Sequence, residues 1–238
     1  MCIRDSTALG KNWALFPLTL FRRAALLADR VPFLSGKHLA FPTTALPALG
    51  SWTLLDANTV IAAPRCTSPF PNGEAQFVED KESPPSRAYL KLWEALTLAG
   101  KRPGPGTRCV DLGSSPGGWT WALERLGARV LSVDKAPLDK RLASLTRIKF
   151  LKESAFALDP TKAGKIEWVV SDIICYPERI VTLVERWLAA HPSASFVVTI
   201  KFQGTTDMAP LAKLTRVPGS RLLHLHHNKH ELTWLRIV

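Results

Sequence analysis

The sequence predicts an α/β protein in which a doubly wound, mainly parallel sheet follows a small amino-terminal α/β module. From residue 108 onward, strand and helix patterns alternate along the chain. The strands are continuous apolar runs, which is typical of strands covered by helices on both faces. Residues 7–80, in contrast, are proline-rich and irregular. We therefore expect two domains, residues 1–80 and residues 81–238, with the functional site in the second.

The second domain is expected to open with a helix. After Pro84-Pro85, Ser86 is in position to cap a helix that runs to about Ala99 and is closed by Gly100. The elements expected next, in chain order, are strand 108–113, helix 117–127, strand 129–134, a short turn or helix 137–145, strand 148–152, strand 166–172, helix 178–190 and strand 195–202.

Two further regions complete the predicted fold. Arg221–His227 and Glu231–Ile237 are separated by three residues, so we expect an antiparallel hairpin at the edge of the sheet. In the amino-terminal module, the pattern predicts one helix over about Leu18–Arg30 and strand-like runs at 51–57, 59–63 and 75–78.

The charge of the chain points to a polyanionic partner. The 238 residues have a formal net charge of +11, and residues 81–238 contain 24 lysines and arginines against 14 acidic residues. A basic domain of this kind favours nucleic acid, although anionic lipid or a merely solvated basic surface would also fit the charge alone. We expect an RNA partner and a monomeric protein.

Neither disulfides, structural zinc nor a membrane span is expected. The four cysteines are far apart and form no Cys-x-x-Cys pair. The apolar stretch Trp13–Phe21 is short, is broken by Pro17 and has its arginines after it, unlike a signal peptide. No stretch is long enough to span a bilayer. We therefore expect a cytoplasmic protein that holds no metal.

The most informative segment is residues 109–119, Cys-Val-Asp-Leu-Gly-Ser-Ser-Pro-Gly-Gly-Trp. It reads as an apolar strand, a glycine-rich turn and the start of a helix. Because glycine accepts positive φ and has no Cβ, a ligand can approach the backbone of such a turn closely. The turn lacks the Gly-x-Gly-x-x-Gly spacing, and Pro116 before Gly117-Gly118 suits a ligand without a pyrophosphate. S-adenosylmethionine (SAM) is therefore the first candidate.

A second acid supports a nucleoside ligand. Asp134 ends the strand that follows this helix, and a carboxylate at that place accepts both hydroxyls of a bound ribose. A capping or loop aspartate is the alternative for Asp134 taken alone. Its position after the glycine-rich turn favours the cofactor role.

Three segments resemble signature segments of the FtsJ-type ribose 2′-O-methyltransferases and occur in that family's order. They are Ser-Arg-Ala-Tyr-Leu-Lys-Leu (86–92), the turn at 110–119 and Phe-Val-Val-Thr-Ile-Lys-Phe-Gln-Gly (196–204). Residues 168–172 and 177–188, with the ending Leu-His-His-Asn-Lys-His-Glu-Leu-Thr, resemble the RlmM branch, which acts on large-subunit ribosomal RNA. The resemblance covers about residues 84–238 and implies a Rossmann-like class I SAM-dependent methyltransferase fold.

The resemblance also implies which residues form the site. The family's catalytic Lys-Asp-Lys-Glu tetrad falls on Lys91, Asp172, Lys201 and Glu231. Where the family often has an acid near the adenine, this chain has Ser154. Together with the turn and Asp134, the expected cofactor-binding residues are Asp111, Gly113, Ser114, Ser115, Pro116, Gly117, Gly118, Trp119, Asp134, Ser154 and Asp172.

The chemistry explains why such a tetrad would be used. Methylation of a ribose 2′-hydroxyl requires a base, and an ordinary lysine, with a pKa of about 10.4, is almost wholly protonated at neutral pH. A lysine base therefore needs partial burial and a second ammonium nearby, while carboxylates orient both amines. The resemblance makes Lys201 the expected base, Asp172 the residue between cofactor and ribose, and Lys91 and Glu231 the residues that position the hydroxyl.

Other interpretations of the sequence stay open. Cys175 could serve as the nucleophile of an RNA 5-methylcytosine methyltransferase, and the chain could be a non-catalytic RNA-binding protein on a methyltransferase fold. Trp119 and Trp121 could stack a base, although core packing is the commoner role. Two groups of basic side chains could face RNA, namely the histidines 224, 226, 227 and 230, and the arginines 22, 23 and 30.

Overall fold

A computed structural model describes residues 12–31, 38–43, 46, 48–204 and 207–238. The chain divides into two compact units, Met1–Val78 and Glu79–Val238. In the part of the chain that the structure describes, no helix combines the length and the apolar character that crossing a membrane requires.

The first unit contains a three-stranded sheet and one helix. Its strands are β1 (Trp13–Leu15), β2 (Gly50–Leu54) and β3 (Val60–Ala63), with β1 parallel and β3 antiparallel to β2, and its helix is α1 (Phe21–Ala28). Trp13, Trp52 and Leu54 form its core together with Ala24 of α1. The helix is shorter than the pattern suggested, since Leu20 has a left-handed backbone and ends the helix on that side.

The prediction of a strand at 75–78 is wrong. Only an isolated bridge between Leu39 and Phe77 forms there. The Phe77 side chain is buried and lies edge-on to Phe41, so this apolar run packs against a neighbouring segment instead of joining the sheet. A short apolar run does not by itself distinguish these two outcomes.

The second unit is built on a seven-stranded sheet in the order β6-β5-β4-β7-β8-β10-β9, in which β4 to β8 are parallel and β10 is antiparallel to both of its neighbours. Its strands are β4 (Arg108–Leu112), β5 (Arg129–Asp134), β6 (Ile148–Lys152), β7 (Trp168–Ser171), β8 (Ser195–Lys201), β9 (Ser220–Leu223) and β10 (Glu231–Arg236). Its α-helices are α2 (Tyr89–Ala99), α3 (Gly118–Arg125), α4 (Pro177–Ala190) and α5 (Ala212–Thr215).

Successive side chains of β4 point to opposite faces of the sheet, and both faces are covered. Val110 and Leu112 belong to the core that includes Val184 and Trp187 of α4. Asp111, which points to the opposite face, contacts Thr120 of α3. The doubly wound α/β fold with an antiparallel strand near its carboxyl terminus is therefore confirmed.

The first helix of this unit begins later than predicted. Helix α2 starts at Tyr89, and its N-cap residue is Ala88, so Ser86 does not cap it. The segment around Ser86 instead packs against the start of α3, where a Cβ on Gly118 would lie 2.5 Å from the Ser86 Oγ. Tertiary packing of this segment outweighs the local capping preference of serine.

The carboxyl-terminal hairpin forms, but its loop is longer than three residues. Strand β9 ends at Leu223 and β10 begins at Glu231, so the connection covers residues 224–230. The backbone N–H groups of His226 and His227 donate to the carboxylate of Glu94, at 2.7 and 3.1 Å. These two residues therefore pair with a side chain of α2 instead of with β10.

Candidate active site

The four residues of the predicted tetrad meet at one edge of the sheet. Asp172 directly follows β7, and Lys201 is the last residue of β8, so both lie at carboxyl ends of parallel strands. Glu231 begins the antiparallel strand β10 and is opposite Lys201 in the strand register. Lys91 reaches the same point from the first turn of α2. The topology thus brings together residues that are up to 140 positions apart.

The two amines and the two carboxylates are joined directly. The Lys91 Nζ lies 2.8 Å from Asp172 Oδ1 and 3.0 Å from Glu231 Oε1. The Lys201 Nζ donates to the backbone oxygen of Asp172 at 2.7 Å and lies 3.1 Å from its Oδ1. Glu231 Oε2 is 3.9 Å from the Lys201 Nζ. All four side chains are 9–17% exposed, so the cluster is partly buried yet reachable.

Charges of opposite sign alternate within this cluster. Burying a charge is costly unless it is paired and hydrogen-bonded, and removal of one partner from a buried pair destabilises by several kcal/mol. Here each amine contacts both carboxylates, so the formal charge of the group is balanced. Such an arrangement fixes the positions of both amines at the edge of the sheet.

Aromatic packing holds the helix that carries Lys91. Tyr89 and Trp93, on either side of Lys91 in α2, contact Trp121 of α3, with ring centroids 5.1 and 6.1 Å apart. The indole N–H of Trp119 donates to the backbone oxygen of Ala88 at 2.7 Å. Trp119 and Trp121 are both buried, so they serve as core residues and do not present a face to a base.

The glycines of the predicted cofactor turn are required by packing within the protein. Gly117 has a φ of 115°, and a Cβ there would overlap the Leu142 side chain. Gly118 packs against Ser86, as described above. Protein atoms therefore occupy the space on the Cβ side of these two glycines, so the glycines shape the turn, and Pro116 lies exposed beside them. The close approach of a ligand to the backbone of the turn stays a prediction.

Two serine hydroxyls at the turn show that it suits a polar ligand. The Oγ atoms of Ser114 and Ser86 are buried, and neither has a hydrogen-bond partner among the described residues. Buried hydroxyls without partners are unfavourable and uncommon. Ser114 lies within the turn, and Ser86 lies against its Gly118. The donor and acceptor groups of an amino-acid moiety would fit this chemistry, so the turn is compatible with SAM.

Asp111 supports the turn from below. Its carboxylate is 1% exposed and accepts a hydrogen bond of 2.6 Å from the Thr120 hydroxyl, which also contacts the Ser132 hydroxyl. Burial raises the pKa of Asp111 from 3.8 to about 7. The side chain is enclosed by protein, so Asp111 is a structural neighbour of the turn and does not reach an open surface.

Asp134 and Ser154 lie at the carboxyl ends of adjacent strands. The two carboxylate oxygens of Asp134 accept from the N–H of Ser115 and of Ala136, at 3.0 and 2.9 Å. Each oxygen keeps a further lone pair for a ligand hydroxyl. The N–H of Glu153 donates to the Asp134 backbone oxygen, and the half-buried Ser154 follows it. Asp134 thus links the turn, through Ser115, to the region expected to face a nucleoside.

Two residues outside the predicted set support the site: Thr199 contacts the tetrad itself, and Glu94 holds the loop that precedes Glu231. The buried Thr199 hydroxyl donates to Asp172 Oδ1 at 2.6 Å, so this one oxygen contacts three donors. Glu94 is 2% exposed and anchors the loop 224–230, with an additional contact of 2.7 Å to His227 Nδ1. Glu94 follows Lys91 by three positions on the same helix face, a spacing that could have drawn attention to it.

Cys175 is poorly suited to nucleophilic catalysis. It is 6% exposed, and burial raises the pKa of its thiol to about 11. The thiolate, which is the nucleophilic form, is therefore scarce at neutral pH. Among the described residues, no three histidine, cysteine or acidic side chains are grouped as a metal site would need.

The strand order, the glycine-rich turn after β4 and the site at the carboxyl edge of the sheet define the fold of the class I SAM-dependent methyltransferases. Two solved structures share this fold with the chain. A hemolysin candidate from Streptococcus thermophilus has a TM-score of 0.53 at 19% identity, covering 71% of this chain and 73% of that one. A hemolysin candidate from Lactococcus lactis has a TM-score of 0.52 at 19% identity, and the match covers 66% of this chain and 93% of that one. This likeness concerns the fold alone.

Residues 84–198, which make up most of the second unit, match the family model of the FtsJ-like methyltransferases. Two relatives named ribosomal RNA large subunit methyltransferase M are similar to the chain. The one from Halorhodospira halophila is 32% identical over 157 residues, which is 63% of this chain and 46% of that protein. The one from Alkalilimnicola ehrlichii is 30% identical over 215 residues, which is 84% of this chain and 59% of that protein. The chain thus spans about half the length of these relatives.

Proposed function

We propose that the protein is a SAM-dependent RNA ribose 2′-O-methyltransferase that acts on 23S ribosomal RNA. The observation that carries the proposal is the joined cluster of Lys91, Asp172, Lys201 and Glu231 at the sheet edge next to the glycine-rich turn. A hydroxyl group needs a base at the moment of attack, and the partly buried Lys201 places an amine at a fixed position in the site. The match of residues 84–198 to the FtsJ-like methyltransferase model supports methyl transfer.

The RNA substrate is proposed from the relatives and from the charge. Relatives that align with most of this chain are named for large-subunit ribosomal RNA. The domain also carries the excess of basic side chains that a polyanion requires. We include ribosomal RNA as the partner in the proposal, together with the cytoplasmic location and the monomeric state expected from the sequence.

In the proposed reaction, Lys201 acts as the base. Its neutral amine takes the proton of the ribose 2′-hydroxyl while the hydroxyl oxygen gains the methyl group. SAM, when bound, supplies that methyl group as an electrophile attached to sulfur. Ser114 and Ser86 would hold the amino-acid end of the cofactor and Asp134 its ribose, while Asp172 stands between the turn and Lys201.

The other three charged residues prepare this amine. Asp172 holds Lys201 through both its backbone oxygen and its side chain, so the direction of the Nζ is fixed. Lys91 shares Asp172 and Glu231 with Lys201 and keeps an additional positive charge in the cluster. Much of the rate is then expected from alignment of the reacting atoms.

The proposal is tested by three single variants assayed for methyl transfer from radiolabelled SAM to unmodified 23S ribosomal RNA. We expect Lys201→Ala to lose at least about a hundredfold in kcat, the size typical of removing a general base, while still binding SAM. Lys213→Ala, which changes an exposed lysine paired with Glu185, should keep the wild-type rate. Cys175→Ser should also remain active.

Two outcomes would overturn the proposal. Wild-type rates from Lys201→Ala with normal SAM binding would remove lysine from the mechanism. Loss of transfer in a folded Cys175→Ser protein would indicate base methylation through a cysteine adduct.

A further inference from the structure

A cavity at the opposite edge of the sheet carries a group of cations that the catalytic proposal does not use. It has a volume of about 480 Å³ and is lined by residues at the amino ends of β4, β5 and β6 and before β7. Five of its twelve lining residues are basic and none is acidic. These five are Arg108, Arg129, Arg147, Lys149 and Lys165.

One of these cations is held in place by the fold, and the others are available. The Arg147 guanidinium forms an ion pair with Glu124, whose carboxylate is almost fully buried. The side chains of Arg129, Lys149 and Lys165 are exposed, and in the described part of the chain none of them has a hydrogen bond or ion pair. Several unpaired cations around one cavity repel each other, so a bound anion would stabilise them.

The position of the cavity separates it from the catalytic edge. Because β4 to β8 are parallel, their amino ends lie at the edge opposite Asp172 and Lys201. Strand β4 has five residues, so the two edges are about 17 Å apart at roughly 3.3 Å per residue. That distance corresponds to about five base-pair steps of a nucleic-acid duplex. An RNA that reaches both edges must therefore extend past the methylated nucleotide.

We propose that this cavity binds backbone phosphates of the RNA substrate at some distance from the methylated ribose. The inference rests on the proposed function for the identity of the polyanion, and it adds a second contact region to that function. Arginine and lysine side chains suit phosphate oxygens, and such contacts hold a nucleic acid in place without reading its sequence. Their contribution is expected to fall steeply as salt concentration rises.

The test compares two double variants that remove the same kinds of charge. Arg129→Gln/Lys165→Gln changes two exposed cavity residues. Arg216→Gln/Lys213→Gln changes an exposed lysine within α5 and the exposed arginine that follows this helix, toward the other end of the strand order. Arg147 is left unchanged, because its removal would take the ion-pair partner from the buried carboxylate of Glu124. Binding to a protein-free 23S ribosomal RNA transcript is measured from 50 to 200 mM salt, conditions in which phosphate contacts are resolved.

We expect the cavity variant to bind this transcript about tenfold more weakly at low salt. Its slope of log affinity against log salt should be smaller by about 1.4, or about 0.7 for each lost contact to a single strand. The Arg216→Gln/Lys213→Gln variant should keep the wild-type slope. SAM affinity and the rate at saturating RNA should be unchanged in both, since neither pair lies in the tetrad or the turn.

The outcomes separate this inference from the catalytic proposal. Equal slopes for the two double variants, or wild-type binding by the cavity variant, would overturn the inference even if methyl transfer is normal. If the wild-type protein does not methylate RNA but the cavity variant alone shows the reduced slope, the catalytic proposal fails and the phosphate site stands. Loss of binding to phosphatidylserine vesicles with unchanged RNA binding would assign the cavity to a membrane surface and overturn the inference.

Discussion

At the scale of single residues, Asp172 organises the site because one of its oxygens contacts the amines of Lys91 and Lys201 and the hydroxyl of Thr199. The tetrad positions could be predicted from the sequence, since they lie in motifs that resemble a known family. Thr199 could not, because a threonine in an apolar strand looks like an ordinary strand former. Only the register of β8 against β7 shows that its hydroxyl reaches Asp172.

Asp111 offers a test of the environment behind the cofactor turn. Its pKa is raised from 3.8 to about 7 by burial. A raised pKa of an acid stabilises the folded state fully below the unfolded value, and this stabilisation is lost as pH rises toward the folded value. We expect the wild-type free energy of unfolding to lose up to about 4 kcal/mol from this group between pH 4 and pH 7.

The Asp111→Asn variant does not titrate at this position, so it should lack that decline. Urea unfolding of both proteins at several pH values measures the difference, in which the other titrating groups cancel. Parallel curves for the two proteins would show that the Asp111 carboxyl is ionised in the fold and that its burial is less complete than the structure indicates.

At the scale of elements, the parallel strands were predictable and the connections were not. Continuous apolar runs identified β4 to β8, with the ends of β5 and β6 predicted correctly and those of the other strands within two residues. Helix α2 begins at Tyr89 because packing near Ser86 overrides capping, and the loop 224–230 is long because Glu94 binds two of its N–H groups. Both causes join residues distant in the sequence, so no local pattern contains them.

The hydrogen bonds from His226 and His227 to Glu94 should help to position Glu231, which directly follows the loop 224–230. In Glu94→Gln, an NH2 group replaces one of the two carboxylate oxygens that accept from the backbone N–H groups of His226 and His227, so one of these hydrogen bonds is lost. We expect the free energy of unfolding to fall by about 1–3 kcal/mol. Methyl transfer should fall by more than SAM affinity does.

Urea unfolding, SAM titration and the methyl-transfer rate check this expectation. Glu185→Gln is the matched control, since Glu185 is an exposed acid paired only at the surface with Lys213. If Glu94→Gln equals this control in stability and rate, the loop 224–230 does not depend on its hydrogen bonds to Glu94.

At the scale of the whole molecule, the chain divides into its two compact units between Val78 and Glu79, close to the expected boundary at residue 80. Composition makes such a boundary visible, because the proline-rich segment differs from the alternating one. The role of the first unit is not visible in the same way. Its predicted contribution to RNA binding rests on Arg22, Arg23 and Arg30, all of which are exposed.

We therefore expect the triple variant Arg22→Gln/Arg23→Gln/Arg30→Gln to raise the KM for ribosomal RNA several-fold, since phosphate contacts position a substrate without taking part in the chemistry. The kcat and the SAM affinity should stay at wild-type values. Steady-state assays at low salt measure both constants. An unchanged KM would mean that these arginines only solvate the surface of the first unit.

If the tetrad directs a methyl group to a ribose oxygen, the product itself will show it. Mass spectrometry of the nucleosides released from 23S ribosomal RNA, after reaction with wild-type protein and with Lys201→Ala, identifies that product. We expect one 2′-O-methylated nucleoside that depends on the wild-type protein and is missing with Lys201→Ala. A product methylated on a base, or a 2′-O-methylated product formed equally by both proteins, would contradict it.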